Sequence, residues 1–207
     1  AITSFASAQD RVAAAIDSLP AIKHIDQVAI SPDGTQVAYI VEGELSVASV
    51  SDGASHRVAP DQKTVREVTW SADSRHLAWL CDQAGDKPAA QVWSSASDGS
   101  DPVQRASFQG YAQTLRFAPD GKTIATTRAV RSPTELFHPT MTLIDEQGNA
   151  RELAKDWDRW PDFAAWSLDS QRVIVTAYDD VNAACLAIDR PNGEVTRLPH
   201  EYTTDPY

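Results

Sequence analysis

The sequence has few of the residues that most often carry chemistry or crosslinks. It contains two cysteines and one methionine in 207 residues. Cys81 and Cys185 each lie in an apolar, strand-like run, and four ligands at the close spacing of a metal site are missing. The pattern favours two buried free thiols over a disulfide or a metal pair, and it leaves the redox compartment open.

Positive charge is also scarce. Lys and Arg number 18 against 29 Asp and Glu, which gives a formal net charge of −11. Nucleic acids and anionic membrane surfaces are bound through basic patches, so neither is an expected partner. No apolar run approaches the ~18 residues that a transmembrane helix needs. We expect no membrane span, and the acidity indicates a solvated surface.

Motifs of the common enzyme classes are missing as well. The chain has no G-x-S-x-G nucleophile elbow, no H-E-x-x-H, no C-x-x-C and no phosphate-binding glycine loop. None of the histidines has a partner at metal-ligand spacing; they are His24, His56, His76, His138 and His200. We therefore predict no catalytic residue, no metal site and no cofactor in this chain.

The first 25 residues differ from the rest of the chain. Ala8 to Leu19 carries apolar residues at helical spacing and ends before Pro20, which predicts a short amphipathic helix that must dock on a surface. Ala6-Ser7-Ala8 has the A-x-A form of a signal-peptidase site, which suggests a periplasmic or secreted protein. Plain helix-forming alanine is the alternative, and a cytoplasmic location stays open.

What the sequence does contain is a fourfold repeat. The copies VAISPDG, VTWSADS, LRFAPDG and AAWSLDS begin at Val28, Val68, Leu115 and Ala164. In such a turn Pro presets φ, Asp bonds the local backbone, and Gly takes the left-handed conformation that closes a hairpin. Ser in place of Gly is expected to cost more. The predicted structural turn residues are Asp33, Gly34, Asp73, Asp120, Gly121 and Asp169.

Three more strand-like runs follow each turn, which makes four strands in a unit of roughly 40 to 50 residues, the size of a propeller blade. The predicted fold is all-β: a β-propeller over 26–207, preceded by the docking helix in 1–25. The blades are placed at about 26–60, 64–108, 112–156 and 160–200. Because the strands show little polar alternation, we expect both faces of every sheet to be covered.

The order of large apolar residue, Ser-Pro-Asp-Gly, apolar strand and then Asp-Gly resembles a known propeller repeat. TolB-like proteins share that repeat with the N-terminal domain of the prolyl oligopeptidase family of serine peptidases, and the likeness covers residues 26–200. The predicted N-terminal helix resembles that of acylaminoacyl-peptidase-like members, where it packs on the hydrolase domain. In that family a propeller of seven or eight blades caps a C-terminal α/β-hydrolase and filters the peptides that reach a Ser-Asp-His triad.

The resemblance implies the non-catalytic propeller portion of such a peptidase, gating access of short peptides. The expected partners are a C-terminal α/β-hydrolase domain or chain and a short peptide substrate, and oligomerisation is open. Because the family has more than four blades, we expect an incomplete propeller. The alternative is a TolB-like propeller that binds a protein or peptide partner without catalysis.

Two irregular stretches are the candidate binding sites. RAVRSPTELFHP, residues 128–139, is predicted to be a loop between the second and third strands of the third blade, able to meet a peptide terminus or the hydrolase domain. The WDRW stretch before the fourth blade has the composition of an interface. A solvated loop and a packed blade edge are the respective structural alternatives. The candidate binding residues are Arg128, Arg131, Glu135, Trp157 and Arg159. Dipeptidyl-peptidase-type members hold the substrate amine with paired glutamates, and Glu135 stands alone, so that motif is not matched.

Overall fold

The structure is a computed structural model that describes residues 24–62, 64–83, 89–130, 138–179 and 182–199. The predicted helix, the Ala6-Ser7-Ala8 stretch, Arg131 and Glu135 lie outside the described residues. The described part is all-β, as predicted, and forms four antiparallel sheets of four strands each. No helix in this part of the chain is long and apolar enough to cross a membrane.

We call the four sheets blades 1 to 4. Blade 1 consists of β1 (Ile25–Ile30), β2 (Gln36–Val41), β3 (Glu44–Ser49) and β4 (Ser55–Arg57). Blade 2 consists of β5 (Val65–Trp70), β6 (His76–Gln83), β7 (Ala89–Ala96) and β8 (Val103–Gln109). Blade 3 consists of β9 (Tyr111–Phe117), β10 (Ile124–Val130), β11 (His138–Ile144) and β12 (Ala150–Leu153). Blade 4 consists of β13 (Asp162–Trp166), β14 (Arg172–Asp179), β15 (Asn182–Asp189) and β16 (Val195–Arg197).

Within each blade the strands neighbour one another in sequence order, so each blade is a simple meander. The first strands of blades 1, 2 and 3 pack side by side. The first-to-second and third-to-fourth turns of every blade share one end, which we call the turn face. The opposite end, which we call the loop face, carries the second-to-third hairpins and the links between blades.

The repeated turn is held by a Ser–Asp pair. In blade 1 the Ser31 hydroxyl donates to Asp33 Oδ1 at 2.6 Å, and the same oxygen accepts the Thr35 amide at 3.0 Å. Ser31 Oγ in turn accepts the Gln36 amide at 2.9 Å, and Gly34 has a φ of 73°. The Ser31 hydroxyl and then the Thr35 groups hold the pKa of Asp33 below its ordinary value. The turn therefore closes on its own side chains before any neighbouring blade is involved.

Blades 2 and 4 repeat this turn, and blade 3 modifies it. Ser71–Asp73 and Ser167–Asp169 show the same 2.6 Å hydroxyl–carboxylate bond. In blade 3, Ala118 has no hydroxyl, and Asp120 Oδ1 itself accepts the amides of Lys122 and Thr123 at 2.8 and 3.1 Å. The turn forms without the serine because Asp120 Oδ1 accepts the Thr123 amide, which corresponds to the Gln36 amide that Ser31 Oγ accepts in blade 1.

Three hydrophobic cores lie between consecutive blades, because every inner sheet buries both of its faces. The largest fully buried side chain is Trp79, on the blade 2 side of the first core. Its indole nitrogen donates to Gln62 Oε1 at 2.6 Å, which satisfies the one polar atom of that side chain. Both cysteines are free thiols; Cys81 is buried and Cys185 is half-buried.

The expectation that both faces of every sheet are covered is wrong for blade 1. We call the face that a blade turns toward its predecessor its leading face. On blade 2 the leading-face residues Val68 and Trp70 are 1% and 7% exposed. Their counterparts on blade 1, Val28 and Ile30, are 53% and 65% exposed, because no described part of the chain packs on them.

The predicted loop at 128–139 is also shorter than expected. β10 continues to Val130 and β11 begins at His138, and Arg128 is paired with Thr140 in the ladder between them. Arg and Pro made this stretch look irregular, but pairing with the facing strand extends the hairpin at both ends. Arg128 is therefore a strand residue.

Candidate functional site

The surfaces where blades meet are built from side chains that reach across to the next blade. In blades 1 and 2 the first strand has a register shift, and the residue directly after it carries the side chain that reaches the next blade. In blade 1 this is Gln27, whose amide accepts from Val68 N at 2.7 Å and donates to Val68 O at 3.3 Å. In blade 2 it is Glu67, whose carboxylate accepts the amides of Thr114 and Leu115 at 3.1 and 3.3 Å.

Two of the junctions each carry one further hydrogen bond at the turn face. Asp33 N donates to Ser74 Oγ of blade 2 at 3.0 Å, and Asp120 N donates to Ser170 Oγ of blade 4 at 3.0 Å. Both serines occupy the glycine position of the repeat with φ near 60°. The Ser-for-Gly replacement thus gives an inter-blade hydrogen bond in return for a strained backbone.

The outer strands make a third kind of contact. His56, Arg105 and Arg151, one from the fourth strand of each of the first three blades, donate to carbonyl oxygens in the third-to-fourth turn of the next blade. A glycine in each of those turns lies so close that an added Cβ would meet the preceding blade. The added Cβ would lie 3.2 Å from Val58 at Gly99, 2.6 Å from Arg105 at Gly148 and 3.0 Å from Ala154 at Gly193.

Arg128, a predicted binding residue, lies in the blade 2–3 junction. Its guanidinium pairs with Glu152 at 3.0 Å and stacks over the ring of Phe108 of blade 2, 5.0 Å from the centroid. The side chain is three-quarters buried. Glu152 belongs to the same blade as Arg128, so the contact with Phe108 is the one through which Arg128 joins blades 2 and 3.

Trp157 and Arg159, predicted in the WDRW stretch, lie in the link between blades 3 and 4. Trp157 is partly buried against the core of these blades, and its carbonyl accepts from His138 Nε2 at 3.1 Å. Arg159 pairs with Asp158 at 2.8 Å. Both side chains border a hollow of about 340 Å³ at the loop face.

A second hollow, of about 410 Å³, lies beside the first and shares Tyr178 with it. Trp160 and Tyr178 expose 58% and 72% of their surface here, next to the exposed carboxylate of Asp162. Arg197 and Arg159 border the other hollow. We call the two hollows together the loop-face cleft. Their size falls in the range of small-ligand sites.

Asp162 and Trp160 border one hollow, Arg159 and Arg197 border the other, and the ring of Tyr178 borders both. A short peptide presents the matching groups: an ammonium, a carboxylate and apolar side chains. The aromatic faces also favour a cation, which adds to the attraction of Asp162 for an amine. Groups arranged in this way can bind and orient a ligand. The residues that border the cleft include no activated nucleophile.

Two of the predicted binding residues, Trp157 and Arg159, border the cleft. The WDRW stretch drew attention to Trp157 and Arg159, and Trp160 belongs to the same stretch. Asp162, Tyr178 and Arg197 were missed, because they lie on three different strands and no short motif joins them. Nor do the described residues include a group of three or more His, Cys, Asp or Glu that could hold a metal ion.

Neither a protein-family model nor a curated protein matches the chain. Solved structures do match. TolB from Acinetobacter baumannii is 17% identical with a TM-score of 0.63, over 85% of this chain and 43% of TolB. The acylaminoacyl peptidase of Pyrococcus horikoshii is 16% identical with a TM-score of 0.62, over 85% of this chain and 32% of the peptidase. The β-propeller domain of the Trilobed protease of Pyrococcus furiosus is 17% identical with a TM-score of 0.61, over 86% of this chain and 58% of the domain.

An oligogalacturonate lyase in complex with manganese shares the fold too, with 15% identity and a TM-score of 0.65 over 83% of this chain and 52% of the lyase. Proteins of different activities thus carry the same arrangement of blades, and fold alone does not choose among them. The chain spans between a third and three-fifths of the structures named here. The four sheets and these likenesses together establish that the chain has the β-propeller fold common to TolB and to the propeller domains of these peptidases.

Proposed function

We propose that this chain is the non-catalytic propeller portion of a serine peptidase of the prolyl oligopeptidase family. In this proposal it gates the access of short peptides to an α/β-hydrolase domain or chain. The hydrolase supplies the nucleophilic serine and its partners, and forms the acyl-enzyme. This chain supplies blades and a peptide-binding surface, and no reacting group.

The observation that carries the proposal is the loop-face cleft on a propeller whose fold is shared by TolB and by peptidase propeller domains. Trp160 and Tyr178 expose large apolar rings, which soluble proteins keep exposed mainly at binding surfaces. Asp162 and Arg197 give the cleft opposite charges on its two sides. A zwitterionic peptide fits this distribution better than a uniformly charged or purely apolar ligand.

The experiment is a measurement on the native polypeptide, detected with an antibody raised to this segment. We expect a species of roughly 70 kDa or more, about the sum of a propeller and a hydrolase domain, that reacts with a fluorophosphonate serine probe. A second chain that co-purifies and takes up the probe fits the proposal equally. A lone 22.5 kDa species that ignores the probe contradicts it and favours a TolB-like binding propeller.

The cleft itself is tested by steady-state kinetics on short peptides. We expect Trp160→Ala with Tyr178→Ala to raise KM by about tenfold and to leave kcat nearly unchanged, since uniform binding is lost and the chemistry lies elsewhere. Val103→Ala, an exposed residue on an outer strand of blade 2, is the matched control. Equal KM values in the two variants would show that the cleft does not bind the peptide substrate.

The suggested periplasmic or secreted location stays a prediction. It is checked by fractionating the source cells and sequencing the mature N-terminus, which we expect to begin near Gln9. An N-terminus far from that residue would contradict cleavage after Ala8.

A further inference from the structure

Three residues of the loop-face cleft, Trp157, Arg159 and Trp160, lie on a link between strands and not on a strand. The link covers residues 154–161, between β12 and β13, and it is the longest of the three links between blades. A binding site on a loop is less precise than one on a strand unless neighbouring side chains hold the loop in place. The shape of the cleft therefore depends on the contacts that hold this link.

Three contacts fix the backbone of the link near its start. The Trp157 amide donates to the Ala154 carbonyl at 2.9 Å, and Ala154 has a φ of 49°, which is unusual for a residue with a side chain. The side chain of Trp157 packs against the core of blades 3 and 4. His138, the half-buried first residue of β11, places its Nε2 3.1 Å from the Trp157 carbonyl oxygen. The bond from His138 is the polar contact that ties this turn to the second-to-third hairpin of blade 3.

The chemistry of this bond fixes the state of the imidazole ring. A carbonyl oxygen can only accept a hydrogen bond, so His138 Nε2 must carry the hydrogen. In the neutral ring Nδ1 is then the unprotonated nitrogen, and the bond persists when Nδ1 takes up a proton. The amide nitrogen of a glutamine can lie close to where Nε2 lies, so His138→Gln keeps a donor whereas His138→Ala removes it.

The first two residues of β11 reach both hollows of the cleft. Pro139 borders the hollow that contains Trp160. His138 binds the backbone of Trp157, which borders the other hollow. Both residues of β11 are paired with β10 in the ladder of blade 3. The link is therefore anchored to a strand, which is the more rigid kind of support.

A similar anchor is found in the link between blades 1 and 2. There the Gln62 amide donates to the Ala59 carbonyl at 3.1 Å, and Gln62 Oε1 accepts from Trp79 Nε1 at 2.6 Å. Trp79 is fully buried, so that bond serves the core. In the link between blades 3 and 4 the anchored residue is instead followed by the cleft residues Arg159 and Trp160.

We propose that His138 is a positioning residue of the loop-face cleft. Its bond to the Trp157 carbonyl holds the link, and the link holds Arg159 and Trp160 where they meet a ligand. His138 itself touches no ligand. The link is anchored whatever the chain binds; that the anchored residues meet a peptide rests on the proposed function.

Three variants of the whole native polypeptide distinguish positioning from a simple loss of stability. His138→Ala removes the donor, and His138→Gln keeps one. His56→Ala is the matched control, because His56 Nε2 also lies within hydrogen-bond distance of a backbone carbonyl, that of Ser97 at 3.3 Å, in the junction between blades 1 and 2. Each alanine variant loses one histidine–carbonyl bond, and only one of the two bonds holds the link of the cleft.

The first measurement needs no ligand. Fluorine NMR with fluorotryptophan reports the surroundings of Trp157 and Trp160, and Trp79, in the first core, is the internal reference. We expect His138→Ala to shift both link signals and His138→Gln to return them toward their original positions. His56→Ala should leave them in place. Nitrogen NMR should show the hydrogen of the neutral His138 ring on Nε2. Unmoved link signals in His138→Ala, or a neutral ring with its hydrogen on Nδ1, would overturn the proposal.

The second measurement is steady-state kinetics on short peptides. We expect His138→Ala to raise KM about threefold to tenfold with kcat nearly unchanged, which is the range that one hydrogen bond covers. His138→Gln should recover most of this loss, and His56→Ala should show none. If Trp160→Ala with Tyr178→Ala raises KM and His138→Ala does not, His138 does not position the cleft. If neither raises KM, the peptide role is wrong, and the fluorine signals alone decide whether His138 anchors the link.

Discussion

The junction between blades 2 and 3 is built differently from the junctions on either side of it. The outer two each have an indole at the end of the first strand, and a serine that accepts a hydrogen bond at the turn face. Trp70 donates to Ala29 O at 2.9 Å and Trp166 to Arg116 O at 3.4 Å. The middle junction has Phe117 and Gly121 at these positions, neither of which can make these bonds.

The middle junction replaces these bonds with charged ones. Glu67 binds two backbone amides of blade 3, and Arg66 donates to the Ala112 carbonyl. Arg128, which is paired with Glu152 of its own blade, adds its stacking on Phe108 of blade 2. The comparison teaches that the repeat fixes the shape of a blade, whereas the means of joining two blades can change from one junction to the next. Four pairs of substitutions test this, from the largest expected effect to the smallest.

Truncation of the aromatic side chain at the end of the first strand should give the largest difference in unfolding free energy between the first junction and the middle one. Trp70→Ala removes a nearly buried indole and leaves the Ala29 carbonyl without its partner, so we expect a loss of about 3–5 kcal/mol in unfolding free energy. Phe117→Ala removes a half-buried ring and should cost about 1–2 kcal/mol. Urea denaturation of both variants measures the difference, and equal losses would mean that the indole adds nothing.

Removal of the Glu67 carboxylate should weaken the middle junction next most strongly. Glu67→Ala leaves the Thr114 and Leu115 amides without acceptors and should cost about 2 kcal/mol, because the acceptor is charged. Gln27→Ala, in the first junction, loses neutral bonds and should cost about 1 kcal/mol. Hydrogen exchange at the Leu115 amide in Glu67→Ala, and at the Val68 amide in Gln27→Ala, shows whether the lost hydrogen bond is the one at that junction. Unchanged exchange at Leu115 in Glu67→Ala would contradict this role of the carboxylate.

The serine at the glycine position should show two opposing effects. Ser74→Ala keeps the strained φ of 61° and loses the bond from Asp33 N, so we expect a loss of about 1 kcal/mol. Ser74→Gly loses the same bond but relieves the strain, and the stability should change by less than about 0.5 kcal/mol. Thermal unfolding of the two variants distinguishes them. A less stable Ser74→Gly would show that the hydrogen bond outweighs the strain.

The smallest effect concerns the titration of the turn aspartates. The Ser71 hydroxyl and the Arg75 amide lower the pKa of Asp73. The stability that this ionised carboxylate contributes is therefore present above its unfolded pKa of about 3.9 and is lost as pH falls through the lower folded value. Ser71→Ala should raise the pKa of Asp73 toward its ordinary value, as measured by NMR of the carboxyl carbon. An unchanged pKa would assign the shift to backbone amides.

Asp120 supplies the matched comparison for that titration, because its turn lacks the serine. Burial opposes the ionisation of Asp120, but the Lys122 amide and Arg190 outweigh it and lower its pKa. Arg190 Nη1 lies 2.7 Å from Asp120 Oδ2 and comes from blade 4. Arg190→Ala should therefore raise the pKa of Asp120 and leave that of Asp73 unchanged.

The blades could be read from the sequence because each is defined by short-range chemistry. Ser31, Asp33 and Gly34 close their turn with bonds that span at most five residues. Alternating apolar residues then continue as strands, and four strands complete a sheet. Arg128 was misplaced in a loop because its pairing partner, Thr140, lies beyond a stretch that looked irregular.

The joining of the blades could not be read in this way. Gln27 and Glu67 bond to backbone groups of the next blade 41 and 47 positions away, and no local pattern marks those partners. The loop-face cleft takes Trp160 from the link before β13, Tyr178 from β14 and Arg197 from β16. The exposure of Val28 and Ile30 depends on what packs against them, and their own sequence is as apolar as that of their buried counterparts.

By itself, the sequence determined the repeat, the turns, the number of strands in a blade and the all-β class. These depend on dihedral preferences and hydrogen bonds within a few residues. Only the tertiary structure decided which blade faces are covered, how each junction is held and where a ligand could bind. These depend on contacts between residues that are distant in the sequence, 41 to 50 positions apart for the bonds of Gln27, Glu67 and Asp120, and their free energy is set by the packing of whole sheets.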